Sequence, residues 1–150
     1  MLRWRGLRAL GIDYGERRIG LALSDPTGLL ASPWKTIAND GNVGAAAQRL
    51  ALEIEALIAE PDGLDAVVIG LPRRLSGEDN DQTARVRRLG QLLADRIAIP
   101  ITFQDERLTS HEADELLAGR GERDWRKRKQ QVDAMAAALI LQDFLDHQPR

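Results

Sequence analysis

The sequence predicts an α/β fold: a mixed five-stranded sheet, three antiparallel strands followed by two parallel ones, with helices on both faces. Three observations predict it. An apolar run, Ala9-Leu-Gly-Ile12, is joined by a short polar turn to a cleanly alternating run, Arg18 to Ser24. Further on, strand-like and helix-like segments alternate, which implies parallel strands with right-handed crossovers. The 150 residues suffice for one domain, residues 1–150, with a full core.

The elements follow in order. Leu7 to Gly15 is the first and central strand. Leu7, Ala9, Gly11 and Asp13 share one of its faces, a mostly small one that invites close packing. Tyr14-Gly-Glu-Arg17 is the hairpin turn. In the second strand Ile19, Leu21 and Leu23 face one side. Asp25-Pro-Thr-Gly28 turns again, and a third strand lies within Leu29 to Ala38, where Pro33 suits an edge. Val43, Ala47, Leu50, Ile54 and Leu57 recur at helical spacing in a helix from Val43 to Ala59, stopped by Pro61-Asp-Gly63. Asp65 to Gly70 is a short strand buried on both faces, followed by a polar loop from Arg73 to Asn80.

A second helix runs from about Asp81 to Ile97, and Pro100 to Asp105 is the next strand with Glu106 at its end. Thr109-Ser-His-Glu112 matches a capping box, starting a short helix to about Ala118. Gly119 and Gly121 break it. A basic loop to Lys129 follows, and Gln130 to His147 forms the closing helix.

Composition excludes several classes. No run of about 18 apolar residues exists, so no membrane span is expected. There is no cysteine and there are only two histidines, His111 and His147, so a bound metal would rest on oxygen ligands. The expectation is a soluble, cytoplasmic chain. A net charge of −2 argues against a globally basic nucleic-acid binder, but the charge is uneven. Arg120, Arg123, Arg126, Lys127, Arg128 and Lys129 face only Glu122 and Asp124, and Arg73-Arg74 with Arg85, Arg87 and Arg88 add further clusters. Converging on one site, they would track phosphates; otherwise they are solvated faces.

Two acids stand out. Asp13 ends an apolar strand, where an unpaired charge is costly, although it could simply shape the turn at Gly15. Asp133 flanks the apolar stripe of the last helix beside Ala134, Ala136, Ala137 and Ala138. That helix is slim enough to approach Ala9 and Gly11 and bring Asp133 near Asp13. The plainer alternative for Asp133 is a favourable charge at a helix start. A third acid comes from Asp105 or Glu106. Adjacent strand residues face opposite ways, so only one of the two can join, and the residues alone leave the choice open.

Two carboxylates about 4 Å apart repel by roughly 4 kcal/mol at an effective dielectric of 20. Three of them together ask for a retained proton or a cation. An all-oxygen site suits Mg²⁺ or Mn²⁺, and a pair of such ions can activate water and steady the leaving oxygen of a phosphodiester. These residues therefore point to a metal-dependent nuclease.

Leu10-Gly-Ile-Asp-Tyr-Gly15, Arg18-Ile-Gly20 and Ser24-Asp-Pro26 resemble the opening of the YqgF/RuvX family. This bacterial family is associated with pre-16S rRNA nuclease activity and described as Holliday-junction-resolvase-like. Val68-Ile-Gly-Leu-Pro72 with Gly77, Asp105-Glu-Arg-Leu-Thr109 and Val132-Asp-Ala-Met-Ala-Ala137 continue the match in order.

The resemblance implies a ribonuclease H-like fold. It also implies Asp13, Glu106 and Asp133 as the catalytic and metal-binding acids, and Arg18 and Arg107 as phosphate contacts. Arg73, Arg74, Arg126, Lys127, Arg128 and Lys129 are the further candidates for nucleic-acid binding. The implied partner is RNA, in 5′-end maturation of precursor 16S rRNA, with branched DNA as the alternative and a monomer or homodimer as the assembly. Two features depart from the family pattern: Pro72-Arg-Arg-Leu-Ser76 is more basic, and the strand ending at Gly70 bears no acid.

Two other classes compete. One is a nucleic-acid-binding regulator without turnover. The other follows from Gly11-Ile-Asp-Tyr-Gly15, which also resembles the phosphate-binding opening of actin-like ATPases and sugar kinases. Those proteins close two such domains around a nucleotide, which 150 residues do not supply.

Overall fold

The structure is a computed structural model that describes residues 7–74, 76–106 and 125–149, with 125–130 described by backbone alone. Five strands form one sheet in the order β3-β2-β1-β4-β5. β1 (Ala9–Tyr14), β2 (Arg18–Ser24) and β3 (Ala31–Ala38) pair antiparallel, and β4 (Ala66–Pro72) and β5 (Ile101–Glu106) continue parallel to β1. α1 (Val43–Ala59) links β3 to β4, α2 (Asp81–Ala94) links β4 to β5, and α3 (Trp125–Asp146) ends the described chain. Among the described residues no helix is long and apolar enough to cross a membrane.

The two faces of the sheet carry different cores. Leu10, Ile12, Ile19, Leu21, Val67 and Ile69 pack with the apolar faces of α1 and α2. Ala9, Ala22, Ala66 and Val68 pack with Ala137, Ile140, Leu141 and Phe144 of α3. The second layer is thin because the sheet residues there are small. A Cβ on Gly11 would lie 2.8 Å from Leu141 Cβ and 2.9 Å from the Ala137 carbonyl oxygen. The small face of β1 is therefore the seat of the alanine-rich helix, as the sequence predicts.

Several boundaries differ from expectation. α2 ends at Ala94 rather than Ile97: after the Asp95 cap the Arg96 N–H bonds the Leu93 carbonyl three residues back, and Ile97 reaches the core from beyond the helix. β4 starts at Ala66 and runs on to Pro72, because Leu71 and Pro72 pair with Asp105 and Glu106. The expected basic loop through Lys129 is corrected: the chain is already helical from Trp125. Arginine and lysine are good helix formers, so the charged run extends the helix. The capping box Thr109–Glu112 and its short helix lie outside the described residues.

Candidate active site

β1, β4 and β5 are parallel, so their C-terminal ends open on one edge of the sheet. Asp13 lies near the end of β1, opposite Gly20 of β2. Glycine inside a strand often marks a close backbone approach, and Gly20 does so here. A Cβ on it would overlap the Asp133 carbonyl oxygen and crowd the Ala134 nitrogen. α3 thus crosses the sheet with Asp133 directly over Gly20, beside Asp13. This explains why the helix is slim at that turn.

Glu106 arrives from β5. The register sets Gly70 against Gln104 and Pro72 against Glu106, so Gln104 and Glu106 point to the α3 side. Gln104 Nε2 indeed donates to Asp143 Oδ2 of α3 at 2.5 Å. A Cβ on Gly70 would sit 2.8 Å from Glu106 Oε2. The glycine leaves the room that the glutamate occupies. Asp105 points the other way, on the face where Phe103 meets Gly90 of α2, and lies 3.5 Å from Arg73 Nε. Strand parity thus separates the two neighbouring acids.

Asp13 and Glu106 are joined by a side-chain hydrogen bond. Such a bond between two carboxyls requires that one keeps its proton. Burial pushes the Asp13 carboxyl well above its ordinary value, and the charges of Glu106 and Asp133 push it further. Burial also raises Glu106, with the Asp13 hydrogen bond acting in the opposite sense. Among the described residues no donor or cation offsets the charge of the pair, which therefore holds a proton.

Asp133 meets a cation instead. Arg18 Nε donates to its Oδ2 at 2.5 Å, between side chains that are 34% and 19% exposed. Of the other candidates, Arg73 lies between Asp79 and Asp105, at 3.4 and 3.5 Å. Its buried Nε makes an ion pair there but no well-formed hydrogen bond. Arg74 is exposed and helps line a cavity of about 550 Å³ with Glu16, Asn80 and Arg85. Arg107, and the side chains of Arg126, Lys127, Arg128 and Lys129, lie outside the described residues.

The sequence reading missed the supports of the β1–β2 turn. Gln82 Nε2 donates to the Tyr14 carbonyl at 2.8 Å, and Asn39 Nδ2 to the Gly15 carbonyl at 2.7 Å. Nothing local to either residue signals a partner in that turn. Gly20 and Gly70 were legible in principle, since each interrupts a strand otherwise built of larger residues.

Comparisons with known proteins agree with this fold. The chain matches the RuvX family, described as Holliday junction resolvase, over residues 7–147. A relative from Oenococcus oeni named "Putative pre-16S rRNA nuclease" is 35% identical over 96% of this chain and 97% of its own length. One of the same name from Chloroflexus aggregans is 42% identical over 91% of this chain and 92% of its own. Among solved structures, Thermus thermophilus RuvC in complex with Holliday junction substrate superposes with a TM-score of 0.51 at 16% identity, covering 93% of each chain. The Mn-soaked human cytomegalovirus terminase nuclease domain gives 0.60 at 12% identity, covering 95% of this chain and 87% of its own. Both likenesses concern the fold.

Proposed function

Because the chain belongs to the RuvX family, we propose that it is a metal-dependent endonuclease, with precursor 16S rRNA as substrate and Asp13, Glu106 and Asp133 as its catalytic acids. The observation that carries this reading is the carboxyl pair of buried Asp13 and half-buried Glu106 at the open edge of the sheet, with Asp133 held beside it. Such a pair is costly unless something completes it. The names of the relatives supply the reaction class and the RNA.

The donor set fits Mg²⁺ or Mn²⁺. It is all oxygen, and it keeps a proton where a cation could stand. Bound there, two such ions would supply an activated water and charge compensation for the leaving oxygen. Asp13, Glu106 and Asp133 would hold them. The chain's own contribution is placement. β1 and β5 fix two carboxyls from parallel strands, α3 fixes the third over Gly20, and Gln82 and Asn39 hold the adjoining turn. Arg18 stands on the same edge and is the described cation nearest at hand for a phosphate.

Asp13→Asn tests the reading. The variant should lose cleavage of precursor 16S rRNA by roughly a thousandfold, the scale of several kcal/mol that metal-assisted charge stabilisation provides. It should retain binding of the same RNA. A non-catalytic regulator would keep all its function in this variant. The family's description favours one second reading, a junction resolvase. Purified protein incubated with precursor rRNA or a four-way DNA junction, each with Mg²⁺, Mn²⁺ or chelator, separates the two. Cleavage of the junction alone would replace the RNA reading.

A further inference from the structure

Arg18 and Asp133 are 115 positions apart in the chain, yet among the described residues they form the tightest ion pair at the site. Arg18 shares the α3 face of β2 with Gly20, two residues further toward the open edge. It therefore stands just past Asp13, where a bound phosphate would enter. Among the described residues, no three acids or histidines form a group that could hold a metal ion as placed. Asp13 and Glu106 already touch, and Asp133 is close enough for its charge to act on Asp13. The Arg18 guanidinium engages the Asp133 carboxylate in a contact outside that pair.

We propose that Arg18 is a charge gate: its guanidinium occupies the Asp133 carboxylate until a divalent cation displaces it, and the displaced side chain then binds the substrate phosphate. This rests on the metal-nuclease reading above and assigns a positioning role within it. An arginine Nε–H is a hydrogen-bonding counter-charge for a carboxylate, so it stands in for a cation when none is bound. Cation and phosphate both pull this pair apart, one from the acid's side and one from the arginine's. They therefore bind with positive coupling, and by linkage each raises the other's affinity by the same factor.

The test is a calorimetric titration of the full chain with Mn²⁺ alone. Arg18→Gln should bind Mn²⁺ about two- to fivefold more tightly than wild type, the scale of a partly exposed ion pair removed as competitor. Arg18→Lys should fall between the two. In ¹H–¹⁵N spectra the Arg18 Nε–H resonance should move when Mg²⁺ is added to wild type. In Asp133→Asn it should be displaced already without the ion.

Unchanged or weaker Mn²⁺ binding in folded Arg18→Gln would overturn the gate. Should that variant not fold, Arg18→Lys decides: Mn²⁺ affinity equal to wild type would overturn it. Failure of the underlying reading looks different. If wild type binds no Mn²⁺, or if Asp13→Asn and Asp133→Asn bind it as well as wild type, the acids are not the metal site and the gate falls with them. Loss of Mn²⁺ binding in those two variants, beside an unchanged Arg18→Gln, would remove the gate alone.

Discussion

Asp13 lies near one end of the β1–β2 ladder and Asp25 just beyond the other, and their surroundings are opposite in kind. Asp25 closes the turn after β2. Its carboxylate accepts from the Leu30 and Leu29 amides at 2.8 and 3.0 Å, and from the Thr27 amide and hydroxyl. These donors, led by Leu30, hold it down to about 2. Asp13 is buried and faces acids, and its carboxyl is driven upward. A carboxylate surrounded by N–H groups completes its own structure. A carboxyl surrounded by other carboxyls is left for a cation or a substrate to complete. The difference separates a structural acid from a candidate catalytic one more sharply than burial alone, because buried polar groups in general find partners.

The largest effect that would sharpen this contrast comes from the glycines beside the two acids. Gly20 lets α3 lie on β2, and any side chain there meets backbone atoms of Asp133 and Ala134 that cannot swing away. Gly20→Ala should cost about 3 kcal/mol, by the overpacking of a filled interface, read as a drop in urea midpoint. Gly28, in the Asp25 turn, is needed for its backbone, at φ 73°. Gly28→Ala should cost about 1–2 kcal/mol, the strain of a left-handed conformation. A larger loss at Gly28 than at Gly20 would mean that the seat of α3 is softer than its contacts imply.

Next in size is the effect of removing the Asp13 charge from the metal-free protein. Below the ordinary value of 3.8, both the folded and the unfolded chain hold this proton, and burial costs little. As pH rises past it the unfolded chain lets go first. Stability then falls with pH until the folded carboxyl also ionises. Glu106, raised from 4.5, acts in the same direction. In chelator, Asp13→Asn should flatten this decline and be more stable than wild type at neutral pH by about 1–2 kcal/mol, as when a functional site gives up activity for stability. Equal stability of the two proteins from pH 4 to 8 would mean that Asp13 has a counter-charge of its own.

Much of this was legible in the chain. The alternation of β2 and the small face of β1 determine which side receives the alanine-rich helix, and the family resemblance supplies the ordered motifs. Asp13 and Asp133 are visible as acids in apolar settings. The choice between Asp105 and Glu106 is not visible in the residues taken alone, and only the family resemblance points to Glu106. The choice depends on the register that sets Pro72 against Glu106, which no local pattern encodes. The start of α3 was missed because a run of basic residues reads as solvated chain, while lysine and arginine favour helix. The Arg18–Asp133 pair was invisible for a simpler reason: it joins the second strand to the last helix, and only the packing brings them together.

The smallest effect tests the other pole of the comparison. Asp25 has an unfolded value near 3.8 and a folded one of about 2. Its contribution is therefore fully present above pH 3.8 and is lost as pH falls toward 2, the reverse of Asp13. The turn is open to solvent, so screening reduces the benefit. Asp25→Ala should cost about 1 kcal/mol at neutral pH, the net worth of a few exposed hydrogen bonds. The loss should shrink as the acid limb is approached and leave both Mn²⁺ binding and RNA cleavage at wild-type levels. Denaturant midpoints at pH 2.5, 4 and 7 read the first part. A variant equally destabilised at all three would mean that the side chain matters there for its shape and not for its charge. The contrast with Asp13 would then rest on the buried acid alone.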